Sequence, residues 1–265
     1  MIQPQLPFKA VLLDWAGTTV DYGSRAPTEV FIEIFRQNGI TITAAEAREP
    51  MGRAKRDHIA TVLAMPRVNQ VWQQQHGRTP TDADIDAIYC DFLPLQKETL
   101  ARLGSDVIPG VPAAVAELRQ MGLKIGSSTG YTRALMEVVA PRAAQGGYSP
   151  DVILCADDVP AGRPAPWLNF LACQRLDVYP PASVLVVDDT PVGIKAGLNA
   201  SMITVAITQT GNSLGLSEAE VAQLSVLERQ RRLEEIAAEF RQLGAHFTLP
   251  SVAELPRLMR ELSAV

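Results

Sequence analysis

The stretch "KAVLLDWAGTTVDYG" sets a carboxylate, Asp14, at the end of an apolar run and follows it with Gly17, Thr18 and Thr19. A carboxylate backed by such a turn suits a nucleophile facing a phosphoryl group, or a ligand for a hard metal ion. Three further runs end in related chemistry: "LKIGSST" in Ser128 and Thr129, "DVILCAD" in Asp157 and Asp158, and "SVLVVDD" in Asp188 and Asp189. Any one of these could simply cap the helix that follows a strand. Together they put acids and hydroxyls at four strand ends, the pattern of a single polar site. Two residues on stands Ala16, which has no proton to give to a departing oxygen, so a nucleophile here would need its acid or base partner from elsewhere.

The elements that must position these groups follow from periodicity. The four runs, and a fifth, "ITVAIT" (203–208), are continuous and apolar, and helical patterns such as "VPAAVAELRQMG", "TRALMEVVAPRAA" and "PVGIKAGLNA" lie between them. Such alternation predicts an α/β fold with a Rossmann-like, doubly wound parallel sheet buried on both faces. In that architecture ligands bind at the carboxyl ends of the strands, where the acids fall. Residues 24–102 interrupt the alternation with helical stretches and no strand. The expectation is a core domain of residues 1–22 and 103–265, with an inserted all-helical cap domain of residues 23–102. "DYGSRAP" and "GSDVIPGVP" carry the Gly and Pro expected of hinges. The helical runs after position 215 could pack on the core.

A net charge of -5 over 265 residues, with scattered basic residues, gives no footprint for nucleic acid. Cys90, Cys155 and Cys173 are an odd, widely spaced set, which suggests neither a disulfide framework nor a thiolate zinc site and fits a reducing, cytoplasmic location. No run approaches the length of a membrane span, and "MIQPQLPFKA" does not read as a secretion signal. No membrane association is expected.

With "DWAGTTVDYG" on the first strand, "SSTG" on the second, a basic residue in "AGRPAP" and the acidic pair of "VVDDT", the chain resembles the haloacid dehalogenase superfamily, with the motifs in order along its whole length. The runs "EPMGRAKRDH", "GSSTGYTR", "DDVPAGRPAPW" and "GAHFT" are similar to its phosphonatase branch. The resemblance implies cleavage of the carbon-phosphorus bond of a small phosphonate, phosphonoacetaldehyde, to acetaldehyde and phosphate. It further implies a Mg²⁺ requirement, a Schiff-base lysine in the cap and a homodimer, joined through cap helices. By motif position Asp14 would be the nucleophile that becomes an aspartyl phosphate, Lys55 the Schiff-base lysine, Thr129 the hydroxyl of the second motif, Arg163 the phosphoryl-binding cation and Asp189 a metal ligand.

The residues answer to that chemistry. Breaking a carbon-phosphorus bond leaves an electron pair on carbon, and an iminium on Lys55 can accept it. A helix over 52–64 would surround Lys55 with Met51, Gly52, His58 and Ile59, groups that desolvate the amine and lower its pKa. His58 could shuttle a proton. Mg²⁺ takes hard oxygen ligands, which Asp14, Asp189 and the Ala16 backbone carbonyl can supply. Adjacent strand residues face opposite ways, so Asp188 reaches the same ion only if the chain turns there. Thr129 can donate to a phosphoryl oxygen, Gly130 lets the backbone come close, and Arg163 can grip two oxygens at once. The chain departs from the resemblance at Gly193, where some relatives carry a further Asp, at "SMITVAI" after "GLNA", and at Ser24, where some carry a cysteine. Two alternatives within the superfamily are a metal-independent haloacid dehalogenase, which the acidic pair and Lys55 oppose, and a general phosphatase, which Ala16 opposes.

Overall fold

The structure, a computed structural model, describes residues 8–103 and 105–263. The start of the N-terminal segment, "MIQPQLP", and Gly104 of the second hinge lie outside the described residues.

Among the described residues six parallel strands form one sheet in the order β3-β2-β1-β4-β5-β6. They are β1 (Ala10–Leu13), β2 (Lys124–Ser128), β3 (Val152–Leu154), β4 (Val184–Asp188), β5 (Ile203–Ile207) and β6 (Phe247–Leu249). The alternation of side chains fills two cores. Val11 and Leu13 join Ile125, Leu185, Val187, Val205 and Ile207 on one face, whereas Ala10 and Leu12 join Leu154, Val184 and Val186 on the other. Burial on both faces explains why the strands read as unbroken apolar runs. The sixth strand is a difference from expectation: its "FTL" has only three residues, at the sheet edge beyond β5, too short for a periodicity signal.

Between β1 and β2 lie α1 (Arg25–Gln37), α2 (Ala44–Arg48), α3 (Lys55–Ala64), α4 (Pro66–His76), α5 (Asp82–Arg102) and α6 (Val111–Gln120). The first five form a cap with its own apolar cluster, in which Phe31, Phe35, Ile59, Leu63, Trp72 and Phe92 are almost wholly buried. In α1 the residues Val30, Phe31, Ile34 and Phe35 recur on one face and turn it inward. Each such side chain contributes roughly 1.5–3 kcal/mol on burial, so the cluster gives the cap an apolar centre of its own. Later come α7 (Arg133–Gln145), α8 (Trp167–Leu176), α9 (Pro191–Asn199), α10 (Glu218–Gln223), α11 (Val226–Leu243) and α12 (Leu255–Ser263). As the sequence allowed, α11 packs on the core, against α9 and β6. Among the described residues no helix is long and apolar enough to cross a membrane.

Strand order reverses between β1 and β4, which pair directly. That reversal opens the crevice in which α/β sheets bind ligands. Leu13 is level with Ser127 on one side and Val187 on the other, so positions 14, 128 and 188 emerge together at the carboxyl edge.

Candidate active site

Asp14 leaves β1 with its N–H donated to Val187 O at 3.0 Å. Asp188 ends β4, and the chain then bends, which brings Asp189 round beside it instead of sending it to the opposite face. Carboxylate oxygens of Asp14, Asp188 and Asp189 consequently lie within 4.8 Å of one another, all three residues buried. Thr18 Oγ1 donates to Asp189 Oδ1 at 2.9 Å and Asn212 N to Asp189 Oδ2 at 2.7 Å. Asp188 Oδ1 accepts from Thr190 N and Oγ1 at 2.9 and 2.7 Å. Gly17 is required here: its φ is +86°, and a Cβ would stand 2.2 Å from Asp189 Oδ2.

One buried cation faces this cluster. Arg163 Nη1 lies 2.6 Å from Asp14 Oδ1 and 3.0 Å from Asp188 Oδ2, while Nη2 donates to Ser128 O and Oγ at 2.7 and 2.8 Å. Three carboxylates against one guanidinium leave an excess of negative charge in a dry place. Burial, then Asp188, push the Asp14 carboxyl up to about 7 despite Arg163, and burial with Asp14 and Asp188 drives Asp189 well above the usual carboxylate range. A bound divalent cation would relieve that excess, and the donors are the hard oxygens such an ion prefers. The cluster can therefore coordinate a metal.

Lys55 approaches from the cap. Helix α3 begins at Lys55 itself rather than at residue 52, because Gly52 has φ +89° and Ala54, with ψ 141°, is not helical. The loop 49–54 thus hands the lysine over at the first turn of the helix. Lys55 is only 4% exposed, with Nζ 4.9 Å from the centre of the Tyr131 ring and 5.5 Å from that of Phe31. Burial outweighs the attraction of Asp14 and holds its amine at about 7, far below an ordinary lysine. A large neutral fraction near pH 7 makes it a competent amine nucleophile.

One cavity, about 280 Å³ including space open to solvent, joins these parts. Asp14, Ala16, Met51, Lys55, Thr129 and Gly130 line it, six of the residues singled out from sequence, together with Ser24, Pro27, Gly52, Tyr131 and Thr190. Asp189 lies behind, in the acid cluster. Arg163 does not line the cavity; its donors are directed to Asp14, Asp188 and Ser128. His58 is fully buried away from it, stacked on Phe31 at 3.6 Å, with Nε2 bonded to Ala47 O at 2.9 Å and Nδ1 without a protein partner. Burial and the neighbouring Lys55 keep its pKa well below the usual histidine value, so the ring is neutral. Asp157 and Asp158 do not join the other strand ends: Asp157 accepts from Arg133 N, and Asp158 pairs with the Arg133 guanidinium and Cys155 N. They follow the helix-capping alternative that sequence left open. Tyr131, within "GSSTGYTR", and Asn212, distant in sequence, carry no local signal of their place in the site.

The cap is seated on this site through close main-chain contacts. A Cβ at Gly130 would lie 2.7 Å from Arg53 O and 3.0 Å from Gly52 O, and one at Gly52 would lie 2.4 Å from Thr190 Oγ1. Only hydrogen-sized side chains let the two surfaces approach so nearly.

A sheet of this order with acids at its switch point defines a class, and residues 8–201 match the family model of haloacid dehalogenase-like hydrolases. Over 257 residues the chain is 44% identical to a phosphonoacetaldehyde hydrolase-like protein of Syntrophobacter fumaroxidans, covering 97% of this chain and 92% of that one. It is equally identical to the phosphonoacetaldehyde hydrolase of Bacillus cereus (strain ATCC 10987), covering 97% of each. The crystal structure of a phosphonoacetaldehyde hydrolase-like protein from Oleispira antarctica superposes with a TM-score of 0.95 at 36% identity, over 98% of this chain and 94% of that one. The chain belongs to the haloacid dehalogenase-like hydrolases and, among them, to the phosphonoacetaldehyde hydrolase family.

Proposed function

We propose that the chain hydrolyses the carbon-phosphorus bond of phosphonoacetaldehyde, giving acetaldehyde and phosphate. The observation that carries this reading is a buried amine, Lys55, sharing one cavity with a buried carboxylate, Asp14, while position 16 holds no acid. The neutral Lys55 amine adds to the aldehyde carbon and expels water, leaving an iminium. An oxygen of Asp14 then bonds to phosphorus as the carbon-phosphorus bond breaks, and the electron pair passes into the iminium to give an enamine. Protonation of the enamine carbon and addition of water release acetaldehyde and restore the amine. A second water hydrolyses the aspartyl phosphate.

The other residues take roles consistent with their surroundings. Thr129 and Gly130 line the cavity where phosphoryl oxygens would bind, and Met51 contributes an apolar wall near Lys55. Arg163 neutralises charge from behind Asp14, where the phosphoryl group would become attached. His58, expected from sequence to shuttle a proton, lies one helical turn beyond Lys55 but is buried away from the cavity and held neutral, so we assign it instead to the wall that desolvates the amine. Asp14, Asp189 and the Ala16 carbonyl would hold Mg²⁺, with Asp188 braced by Arg163 and Thr190. When bound, the ion supplies positive charge that lets a carboxylate and an anionic phosphoryl group approach one another. The division into a core of residues 1–22 and 103–265 and a cap of 23–102, a homodimer through cap helices, and a cytoplasmic location complete the proposal.

The test is product analysis. Purified protein with Mg²⁺ is expected to release phosphate and acetaldehyde in equal amounts from phosphonoacetaldehyde, to lose this activity in EDTA and to regain it with Mg²⁺. Simple phosphate esters should turn over at least ~100-fold more slowly, for want of a general acid. Preferred hydrolysis of such esters, or halide release from a haloacid without metal, would replace the proposal.

A further inference from the structure

We propose that Arg48 is the latch that holds the cap closed over the core, with Asn212 as its receptor, and so a positioning residue for Lys55. Arg48 ends α2, and the loop that follows it delivers Lys55. Its guanidinium crosses out of the cap. Nη1 is surrounded by Gly23 O at 2.8 Å, Asn212 Oδ1 at 3.2 Å, Asn212 O at 3.3 Å and Ser24 O at 3.4 Å, and Nη2 donates to Gly215 O at 3.1 Å. Asn212 returns the contact by donating Nδ2 to Arg48 O at 3.1 Å. One side chain thereby joins three segments: the cap, the first hinge, and the core loop after β5.

Two features separate this from an ordinary surface ion pair. Among the described residues no carboxylate lies within ion-pairing distance of Arg48, so its planar fork of donors is given to oxygens of Gly23, Ser24, Asn212 and Gly215, which a lysine could not span. The receptor is itself fastened to the acid cluster, since Asn212 N donates to Asp189 Oδ2 at 2.7 Å. Every acceptor Arg48 engages could be solvated by water if the cap lifted, so each bond is an exchange and the latch can release as well as hold. The Gly23 and Ser24 carbonyls lie where the backbone takes positive φ at Asp21, Gly23 and Ser24, at the point where the chain leaves the core for the cap. Latch and hinge are therefore adjacent. The closed geometry that buries Lys55 against Tyr131 of the core depends on the same loop that Arg48 anchors.

The catalytic meaning of closure rests on the function proposed above, but its test does not. Intact protein is treated briefly with acetic anhydride, and acetylation of Lys55 is measured by mass spectrometry relative to the exposed Lys195. In the wild type Lys55 should be protected. Arg48→Met and Asn212→Ala should raise its relative labelling about tenfold, as expected when a closed state loses its bias toward protection, and Arg48→Lys should fall between, keeping the charge but losing the fork. Circular dichroism verifies folding, and if Arg48→Met fails to fold, Asn212→Ala and Arg48→Lys carry the test. Unchanged protection of Lys55 in the folded variants overturns the latch, whatever the wild type does with phosphonoacetaldehyde.

Discussion

At the scale of single residues, two positions carry opposite burdens. In the role proposed for it, Lys55 serves the chemistry at the expense of the fold. Its folded pKa of about 7 lies far below the ordinary lysine value of 10.5. Between those values the unfolded chain binds more protons than the folded one, so the contribution of this group to stability rises with pH across that window. Below about 7 the penalty for burying the ammonium is felt in full beside Arg163, and Asp14, itself pushed up to about 7, loses the charge that would offset it. Replacing Lys55 with Met should therefore raise the melting temperature near pH 6, with the advantage shrinking steadily toward pH 10, a series that differential scanning calorimetry can follow. Gly193 is the opposite case, a small residue that makes room for charge. A Cβ there would stand 2.0 Å from the Asp188 carboxyl group. The absence of an acid at 193 is thus matched to the presence of one at 188, and Gly193→Ala should displace Asp188 from Arg163 and Thr190. Overpacking of this kind costs ~1–3 kcal/mol, and denaturant titration measures it; unaltered stability would mean Asp188 has other room.

At the scale of elements, much was legible because the physics is local. Strands buried on both faces announce themselves as apolar runs, and the acids at their ends fall where a switch point places ligands. What was not legible depended on neighbours far along the chain. Strand β6 is too short to show a period, and its partner β5 lies more than thirty residues earlier. The start of α3 was misjudged because Gly52 adopts a left-handed conformation against Thr190, a contact across the cap boundary. Arg163 reads as the phosphoryl-binding cation that the resemblance implies, but its neighbours Asp14, Asp188 and Ser128 were not legible, because they come from three different strand ends. Asn212 carried no motif at all. The cap loop and the loop after β2 meet through backbone, and this gives a prediction at the same scale. Gly130→Ala should drive the loop 49–54 outward by collision with Arg53 O, lowering kcat/KM by roughly 10–100-fold, the kinetic equivalent of a ~1–3 kcal/mol strain. Wild-type kinetics in this variant would show that the cap yields without cost.

At the scale of the whole molecule, the fold divides the chemistry between two bodies of side chains that sequence keeps apart. In the proposed reaction the core supplies Asp14, Asp189, Thr129 and Arg163, and the cap supplies Lys55 on a helix whose apolar partners lie in the cap cluster. Ala16 links the two halves of the account. With no acid beside the nucleophile, the electron pair of the broken bond needs another destination, and the iminium on a buried lysine is the one this cavity offers. Neither half is sufficient alone, so the central claim is that substrate becomes covalently attached to Lys55 while Asp14 is within reach. Borohydride reduction during turnover tests it directly. Incubation with phosphonoacetaldehyde and borohydride, followed by peptide mapping, should locate a reduced two-carbon adduct on Lys55, forming faster as pH rises through about 7 and absent from Lys55→Arg. An adduct elsewhere, or none while turnover continues, would contradict the account.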